Sequence, residues 1–521
     1  MSIPSTTVIG ERHLGQLAQR SYEIRGNYPA LLFEGRWHDS GELFSRSQRL
    51  AAGLAELGIA PGDRVVVCMA NCPEVSIAYQ ALWRAGAVVT PATFLLPPAE
   101  LRHVIADAEA RAVITTPEFV PKVTEAMEGL EHVAFVIGTE AADGVIALGE
   151  LEGAQPGDIV ARSDDDLAAL LYTGGTTGRA KGVMLSHANL WFSGGQAHDA
   201  AHVPGVIRQL TTLPLSHAYG LLVTIAGMHN AEQGINVLLR WFDPSAFLEL
   251  IGEHQLQLSA VVPTMLQILL GMPLEDYDLS TLRWLSSGGA PLAPDVEQEF
   301  RRRVPSVTIR QGYGLTESAA LISTNPTDAV RSGSVGRPVP GTDVEIRDDE
   351  GRVLPAGEAG EVCARSPGIM RGYWRAPDAT AQTIEDGWLH TGDIGYLDRD
   401  GYLYIVDRKK DLIIRGGFNV YPRDVEDVLV QHPAVQIAAV VGRPSERHGE
   451  EVVAFVSLVP DAQITGEELI AWAREHIGGY RYPREVHVVD AVPLTAVGKI
   501  DRKAMRARLA VSPPAAPPTP A

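Results

Sequence analysis

The chain has 521 residues, of which 45% are hydrophobic and 21% are charged, and its formal net charge is -20 at pH 7. This length exceeds one ordinary hydrophobic core, so two or more domains are expected, and the composition is typical of a folded globular protein. The acidic balance argues against a nucleic-acid-binding surface, because such surfaces are normally basic.

Helix and strand patterns alternate over residues 41–160. Apolar residues at helical spacing predict a helix in "SGELFSRSQRLAAGLAELG", ending at Gly58. A further helix is predicted in "EVSIAYQALWRAG", and buried strands in "DRVVVCMA", "ARAVITT", "HVAFVIG" and "DLAALLYTGG". This alternation predicts a largely parallel sheet covered by helices. Ser186 is predicted to cap the helix that follows.

The pattern changes near residue 330, where short alternating strands predict a small β subdomain up to about residue 408. Its first part, "VEIRDDEGRVL", is predicted as a hairpin. After "DRKKD" comes a compact α+β unit, in which Thr465 and Glu468 form the capping box of a helix in "ITGEELIAWAREHI". We therefore predict an α/β fold with three parts: a large N-terminal domain of helix-covered, mostly parallel sheets over residues 1–408, a small mobile α+β domain over 409–510, and a disordered Pro/Ala-rich tail over 511–521.

Three cysteines, Cys68, Cys72 and Cys363, are too few for a disulfide framework and indicate a reducing compartment. The first residues show no signal-peptide pattern, and no apolar run is long enough to span a bilayer. A cytoplasmic protein without a membrane span is therefore expected. Its oligomeric state is not predicted.

The stretch "LLYTGGTTGRAKGVMLSH", residues 170–187, combines glycines, threonines and a lysine after a strand. Glycines let the backbone approach phosphate oxygens, threonine hydroxyls donate hydrogen bonds, and Lys181 adds a positive charge. Because Arg179 and Ala180 separate Gly178 from Lys181, the order excludes a standard P-loop. A flexible loop that binds no ligand is the other interpretation of this stretch.

Three further stretches carry residues suited to nucleotide chemistry. In "IRQGYGLTESAAL", Glu317 is a hard oxygen ligand suited to Mg²⁺ beside a polyphosphate, and Tyr313 could lie on a purine ring. In "GWLHTGDIGYLDRDGYLYIVDRKKD", Asp393 could bridge the two hydroxyls of a ribose, and Arg408 could reach the same sugar or a phosphate. In "PLTAVGKIDRKAM", Lys499 lies on a glycine turn and could reach a reacting carboxylate. Each of these residues, taken singly, also fits a solvated surface position.

The order of the four stretches resembles that of the adenylate-forming superfamily, which comprises acyl- and aryl-coenzyme A synthetases, peptide-synthetase adenylation domains and luciferases. The resemblance covers residues 40–505 and points to the fatty-acyl-CoA and 4-coumarate-CoA ligase type, through "GYGLTE", "GWLHTGDIG", "DRKKDLI", "GFNVYP" and "GKIDR". It implies a reaction at the α-phosphorus of ATP, in which a carboxylate attacks, pyrophosphate leaves and an acyl-adenylate forms. ATP, Mg²⁺ and coenzyme A are the implied cofactor and co-substrates.

The resemblance also implies a role for each matching residue. The implied catalytic residues are Lys499, Glu317, Thr316 and His217, with Glu317 as the metal ligand. The implied ATP- and AMP-binding residues are Thr173, Gly174, Gly175, Thr176, Thr177, Gly178, Lys181, Gly288, Gly289, Ala290, Pro291, Gln311, Gly312, Tyr313, Gly314, Asp393 and Arg408. Within this set, the glycine loop and Lys181 would hold the β and γ phosphates, the segment 288–291 and Tyr313 the adenine, and Asp393 and Arg408 the ribose.

The same resemblance places an acyl pocket and a hinge. The implied pocket residues are His217, Tyr219, Gly288, Gly312, Ala319, Ala320 and Leu321. The small domain would turn about Lys410, after which the loop with Gly416, Gly417 and Phe418 would face the active site in place of Lys499. The chain departs from many relatives at Gly174, which stands for a serine, and at Ala180, which stands for a proline and leaves the loop less rigid.

The favoured hypothesis is a ligase that joins a largely apolar carboxylic acid, fatty or aromatic, to coenzyme A. The main alternative is an amide synthetase that passes the acyl-adenylate to an amine, because the adenylation motifs would be the same. A non-catalytic sensor of ATP or an acyl ligand is a third hypothesis. Candidates for contacts with coenzyme A are Arg415, Arg423, Arg443 and Arg481.

Overall fold

The computed structural model describes residues 9–173, 179–445, 447–477, 479–495 and 499–511. The predicted phosphate-loop residues Gly174, Gly175, Thr176, Thr177 and Gly178, and the predicted tail beyond residue 511, therefore lie outside the described residues.

Helices and strands alternate in the first third of the chain, as the sequence predicts. The predicted helix before Gly58 is α2, and the chain turns away where Gly58 adopts a positive φ of 96°. In chain order the elements are α1 (Leu14–Arg25), β1 (Pro29–Phe33), β2 (Arg36–Asp39), α2 (Ser40–Glu56), β3 (Arg64–Cys68), α3 (Pro73–Arg84), β4 (Val88–Pro91), α4 (Pro98–Asp107), β5 (Ala112–Thr115), α5 (Val120–Met127), β6 (Phe135–Gly138), β7 (Ile146–Ala147), α6 (Leu148–Leu151) and β8 (Leu167–Thr173).

The middle of the chain continues the alternation. Ser186 caps α7 as predicted, since its side chain accepts a hydrogen bond from the Asn189 amide, and the Asn189 side-chain oxygen accepts one from the Ser186 amide. The elements are β9 (Lys181–Ser186), α7 (His187–Ala201), β10 (Arg208–Thr211), α8 (Ala218–His229), β11 (Ile235–Leu238), α9 (Pro244–Glu253), β12 (Leu258–Val261), α10 (Pro263–Leu270), β13 (Trp284–Ser287), α11 (Pro294–Arg303), β14 (Thr308–Tyr313), β15 (Ser323–Thr324) and β16 (Arg337–Pro338).

Short strands follow, as predicted for a β subdomain. They are β17 (Asp343–Arg347), β18 (Gly360–Arg365), β19 (Gly372–Tyr373), α12 (Pro377–Thr383), β20 (Ile384–Glu385), β21 (Trp388–Leu397) and β22 (Leu403–Arg408). The predicted hairpin forms only as a turn closed by a bridge between Arg347 and Val353, because β17 instead pairs along its length with β18.

The C-terminal unit is α+β, as the sequence predicts. Thr465 and Glu468 exchange the hydrogen bonds of the predicted capping box, at 3.2 and 2.8 Å, at the start of α14. The elements are β23 (Ile413–Arg415), β24 (Phe418–Val420), α13 (Pro422–Val430), β25 (Val435–Ser445), β26 (Gly449–Leu458), α14 (Gly466–Ile477), β27 (Glu485–Val488) and α15 (Arg502–Val511).

Two large sheets form the framework of the N-terminal domain. Within the described residues, one sheet has the strand order β19-β9-β8-β4-β3-β5-β6-β7 and the other β16-β15-β14-β13-β12-β10-β11-β1-β2. The central pairs are parallel in both sheets, and β3, β4 and β5 are apolar and buried, as expected of strands covered by helices on both faces. Two smaller sheets contain β17, β18, β20, β21 and β22, and β23 to β27.

The second large sheet sets the position of the predicted site. Its parallel strands β10, β12, β13 and β14 end at the same edge, where Gly288 and Gly289 follow β13 and the Gly312–Tyr313 pair ends β14. Ligands of α/β proteins bind at such carboxyl edges. No helix among the described residues is both long and apolar enough to cross a membrane.

Candidate active site

A cavity of about 2320 Å³ opens at this edge, between the large sheets and the C-terminal unit. Most of the predicted site residues line it, although they come from widely separated parts of the chain. The predicted residues in its wall are Thr173, Lys181, His217, Tyr219, Gly288, Gly289, Ala290, Pro291, Gln311, Gly312, Tyr313, Gly314, Thr316, Glu317, Ala320, Leu321, Asp393, Arg408, Lys410 and Lys499.

The carboxylate of Asp393 is held from two sides. Asp393 and Arg408 are register partners on β21 and β22, and Arg408 Nε lies 2.9 Å from Asp393 Oδ1. The Tyr313 hydroxyl donates a hydrogen bond of 2.7 Å to Asp393 Oδ2. Burial, and then the nearby Asp393 carboxylate, raise the pKa of Tyr313, so the phenol remains a donor. A diol bound here would meet an oriented carboxylate beside a cation.

Lys499 enters the cavity from the C-terminal unit. Its carbonyl accepts a hydrogen bond from the Thr495 amide, and its own amide donates to Thr495 Oγ1. Its side chain lies so near Gly289 that a Cβ built on Gly289 would be 3.4 Å from Lys499 Cε. Burial, and then the positive charge of Arg408, lower the pKa of Lys499 to about 8, against the opposing effects of Asp393 and Glu317. A lysine from the C-terminal unit thus stands among the predicted nucleotide-binding residues of the large domain.

We expect the rate of adenylate formation to depend on the charge of Lys499. Because the pKa lies at about 8, the ammonium is lost as pH rises through that value, and kcat/KM for the acid should fall above it. The Lys499→Arg variant keeps its charge, so its lower kcat/KM should show no such inflection. Initial rates of pyrophosphate release across about pH 6 to 10 give the comparison. Parallel profiles for the two proteins would contradict this assignment.

His217 lies at the start of α8 and is neutral. Its Nδ1 accepts a hydrogen bond of 3.2 Å from the Tyr219 amide, which leaves the proton of the neutral ring on Nε2. Burial, and then Lys499, lower the pKa of His217 to about 3. A neutral imidazole close to Lys499 can donate a hydrogen bond to a carboxylate oxygen without carrying a positive charge that would repel the Lys499 ammonium.

The acyl side of the cavity follows the register of the second sheet. Gly288 and Gly312 lie at the rim, and the Tyr219 hydroxyl donates to the Ser286 carbonyl at 2.9 Å. One step deeper, Ser286 is the register partner of Ala260 and of Arg310. Small side chains therefore line the entrance and leave room for a ring or a chain.

The deeper wall is more polar than the sequence indicates. Arg310 is buried and donates hydrogen bonds to the Ala200 and Asn325 carbonyls. It places a positive charge in the cavity wall, whereas the pocket residues implied by the resemblance include no arginine, lysine, aspartate or glutamate. Thr211 links Gln209 and Asn236 through hydrogen bonds of 3.1 and 2.8 Å. None of these residues belongs to a recognisable local motif, so only the sheet register brings them to the cavity.

Ala319 does not line the cavity, contrary to the sequence-based assignment. It ends the short 3-10 turn Thr316–Ser318 in a left-handed conformation with φ 49°, and its methyl group packs in the hydrophobic core. The neighbouring Ala320 and Leu321 do line the cavity.

The predicted second-step loop lies away from the cavity. Phe418 is 57% exposed and stacks on Tyr480, with ring centroids 4.8 Å apart, and neither Gly416 nor Gly417 is in the cavity wall. The structure therefore shows the orientation in which Lys499, not this loop, faces the cavity. Each of the four arginines considered for coenzyme A has a carboxylate partner here: Arg415 with Glu451, Arg423 with Asp427, Arg443 with Glu485, and Arg481 with Asp424.

Docking of the C-terminal unit depends on residues around the predicted hinge. Lys410 lies two residues after β22, and burial followed by the charge of Arg408 lower its pKa. Arg423 at the start of α13 donates to the Leu292 carbonyl of the large domain at 3.3 Å, and its amide donates to Asp407 at 3.0 Å. These contacts hold the observed orientation and must break if the unit turns.

The edge of the glycine loop has a side-chain support that the sequence does not reveal. His103 Nε2 lies 2.8 Å from the Ala180 carbonyl oxygen, and its ring packs edge-on against Tyr172. Tyr172 in turn donates to Asp107 at 2.7 Å. His103 therefore anchors the backbone next to Lys181.

We expect His103→Phe to weaken ATP binding by about fivefold, which corresponds to the loss of one hydrogen bond. The phenyl ring keeps the contact with Tyr172, so the free energy of unfolding should change little. Steady-state kinetics should show a raised KM for ATP with a nearly unchanged kcat. An unchanged KM would mean that the Ala180 carbonyl needs no such anchor.

A family model described as AMP-binding enzyme matches residues 18–374, and the model for the AMP-binding enzyme C-terminal domain matches residues 424–499. The chain belongs to the AMP-binding enzyme family. It is 38% identical over 473 residues to a feruloyl-CoA synthase from Amycolatopsis sp, covering 90% of this chain and 93% of that protein. It is 36% identical over 532 residues to a long-chain-fatty-acid–CoA ligase from Salmonella typhimurium, covering 95% and 94%.

Among solved structures, this AMP-binding enzyme resembles the amide bond synthetase McbA from Marinactinospora thermotolerans. The TM-score is 0.85 at 33% identity, with 95% of this chain and 99% of that chain covered. The homologues of this AMP-binding enzyme thus include coenzyme A ligases of aromatic and of fatty acids, and an amide synthetase shares its fold.

The residues of the cavity fit a magnesium–nucleotide complex. Mg²⁺ is usually held by one or two carboxylates together with substrate phosphates, not by a cage of protein ligands. Glu317 supplies one such carboxylate in the cavity wall, and no cluster of three or more metal-ligating side chains occurs among the described residues. This donor set suits an ion that arrives with ATP.

Proposed function

We propose that this AMP-binding enzyme activates a carboxylic acid, fatty or aromatic, as an acyl-adenylate and transfers the acyl group to coenzyme A. The observation that carries the proposal is the position of Lys499, inside the cavity beside Gly289 and within the electrostatic influence of Glu317 and Asp393. A protein that only bound nucleotide would not need a buried lysine of lowered pKa at this place.

In the first step the acid's carboxylate oxygen attacks the α-phosphorus of ATP, and the bond to the bridging oxygen of pyrophosphate breaks. Asp393 and Arg408 fix the ribose, and Lys181 pairs with the leaving phosphates. Lys499 and Thr316 stabilise negative charge around the α-phosphate, because oriented donors act strongly in a partly desolvated site. Mg²⁺ bound at Glu317 would supply further neutralisation of phosphate charge.

In the second step the C-terminal unit turns about Lys410. Lys499 leaves the cavity, and the loop with Gly416, Gly417 and Phe418 takes its place. The thiolate sulfur of coenzyme A then attacks the acyl carbonyl carbon, and AMP leaves with the electrons of the acyl–oxygen bond. The exposed Phe418–Tyr480 stack supports this role, since exposed aromatic pairs are available for a new contact.

The walls of the acyl side favour an acid with a slender body. Glycines and alanines at the entrance admit a flat ring or an alkyl chain, while Gln209, Thr211 and Asn236 offer hydrogen bonds at greater depth. One of the two homologous ligases is named for an aromatic acid, as a feruloyl-CoA synthase, and the other for long-chain fatty acids. These names support the proposed substrate range.

The decisive experiment measures pyrophosphate release over a panel of fatty, aromatic and amino acids, with and without coenzyme A, and identifies the products by mass. We expect release to rise with coenzyme A and to yield an acyl thioester. The proposal would be overturned if the enzyme adenylated α-amino acids but no simple carboxylic acid. It would also be overturned if the enzyme bound ATP without releasing pyrophosphate.

Amide formation is the second candidate function. The overall similarity to a solved amide bond synthetase favours it, and the pairing of all four candidate arginines with carboxylates leaves the coenzyme A site undefined. This function would be established instead if pyrophosphate release did not change with coenzyme A, rose with added amines and yielded an amide.

A further inference from the structure

Tyr373 joins two parts of the site that the sequence treats separately. Its hydroxyl donates a hydrogen bond of 2.8 Å to Glu317 Oε1. The ammonium of Lys181 lies over its ring, 5.1 Å from the centroid, within the range of a cation–π contact. One side chain therefore touches both the candidate metal ligand and the candidate phosphate-binding lysine.

The backbone fixes Tyr373 in this place. β19 leaves the small β subdomain and pairs with β9 of the first large sheet, where Tyr373 is the register partner of Val183. The Tyr373 amide donates to Thr380 Oγ1 at 2.9 Å. The preceding residue, Gly372, has a φ of 133°, which favours glycine. A Cβ at this position would also lie only 2.7 Å from Thr380 Cγ2.

The same segment also holds the turn that carries Glu317. The Met370 amide donates to the Glu317 carbonyl at 2.8 Å, and the Arg371 amide donates to the Met184 carbonyl at 2.9 Å. The main chain thus ties the Glu317 turn to β9, while the Tyr373 side chain fixes the Glu317 carboxylate itself. Oε1 is the bonded oxygen, and Oε2 has no hydrogen-bond or ion-pair partner among the described residues.

We propose that Tyr373 is a positioning residue for adenylation, which directs the free oxygen of Glu317 toward the metal–triphosphate complex and keeps Lys181 at a fixed distance from it. The inference rests on the proposed function, because Glu317 and Lys181 act on ATP only if the enzyme adenylates. The phenol is suited to this task, since it donates to one carboxylate oxygen without adding a charge that would compete with the metal.

A purely structural role is the competing explanation, because Tyr373 is largely buried and belongs to the hydrophobic core around the first large sheet. Two substitutions separate the possibilities. Tyr373→Phe keeps the packing and the ring under Lys181 but removes the hydroxyl. Tyr373→Leu removes the ring as well. Tyr402→Phe is a matched control, because the hydroxyl of this buried tyrosine donates to the Ala329 carbonyl outside the site.

The first measurement is the equilibrium affinity for ATP, with and without Mg²⁺, by calorimetry, which requires no turnover. For Tyr373→Phe we expect the Mg²⁺-dependent gain in affinity to fall about tenfold, the value of one hydrogen bond to a charged acceptor, with unchanged affinity for metal-free ATP. Tyr373→Leu should also weaken metal-free ATP by about threefold, through loss of the contact with Lys181. Tyr402→Phe should leave both affinities as in the parent.

The second measurement is a double-mutant cycle with Glu317→Ala, scored by pyrophosphate release. Because Tyr373 acts through Glu317, Tyr373→Phe should cost about tenfold in the parent and almost nothing in the Glu317→Ala background. Equal costs in both backgrounds, or an unchanged magnesium dependence, would overturn the proposal. A parent enzyme that releases no pyrophosphate with any acid would instead overturn the proposed function, so the two failures are distinct.

Discussion

Replacement of Lys499 by alanine is expected to lower the rate of adenylate formation by about 100- to 1000-fold, the usual effect of removing one oriented donor from a developing negative charge. ATP should still bind with nearly parental affinity, because Asp393, Arg408 and Lys181 all belong to the large domain. Burst measurements of pyrophosphate release, paired with equilibrium binding of ATP, separate the two effects.

The fold should survive this change. Lys499 is charged in a place where burial and Arg408 both oppose its charge, so its removal relieves an unfavourable interaction. Lys503→Ala is the matched control, because Lys503 is exposed in the same domain and carries the same charge. Similar rates for Lys499→Ala and its parent would exclude Lys499 from the chemistry. The thioester-forming step, assayed with a preformed acyl-adenylate, should be nearly unaffected.

The second large effect is expected at Asp393. Asp393→Asn keeps the volume but presents an amide in place of a carboxylate that is only 3% exposed. Two charge-assisted hydrogen bonds to the ribose would weaken, and the Kd for ATP should rise about a hundredfold. Titration of ATP into the ligand-free variant measures this directly.

The same substitution should also move the titration of Lys499. Because the Asp393 carboxylate raises the pKa of Lys499, its loss should shift the alkaline inflection of kcat/KM to a lower pH. The control is Asp349→Asn, since Asp349 is 84% exposed and pairs with Lys409 at 2.9 Å outside the cavity. A hundredfold weaker affinity with an unmoved inflection would contradict the electrostatic link between the two residues.

That residues of the local motifs lie together around one cavity could be expected from the sequence. Glycines and hydroxyl residues directly after strands β13 and β14 indicate a ligand-binding loop from the sequence alone. Adjacent parallel strands bring their carboxyl ends to the same edge of the sheet. Asp393 and Arg408 could be paired in advance because they lie on adjacent strands of one antiparallel ladder. The helix caps at Ser186 and Thr465 were likewise local and correct.

Features that depend on distant pairing were not predicted. Tyr373 lies in none of the motifs described above, and its proposed role emerges only because β19 pairs with β9 of a large sheet, whereas its chain neighbours β18 and β20 belong to a small one. Ala319 lies in the hydrophobic core and not in the cavity wall, which residue type does not reveal. The orientation of the C-terminal unit depends on contacts such as Arg423 with Leu292, between segments far apart in the chain.

The pairing of β19 with β9 has a consequence for how the enzyme reaches its native state. Strands distant in sequence pair slowly, since a long loop must close before any contact compensates for it. During synthesis the first large sheet could assemble as far as β9 and still lack the strand that brings Tyr373 to Lys181 and Glu317. Nucleotide binding should therefore appear late in folding, as a marker of a completed large domain.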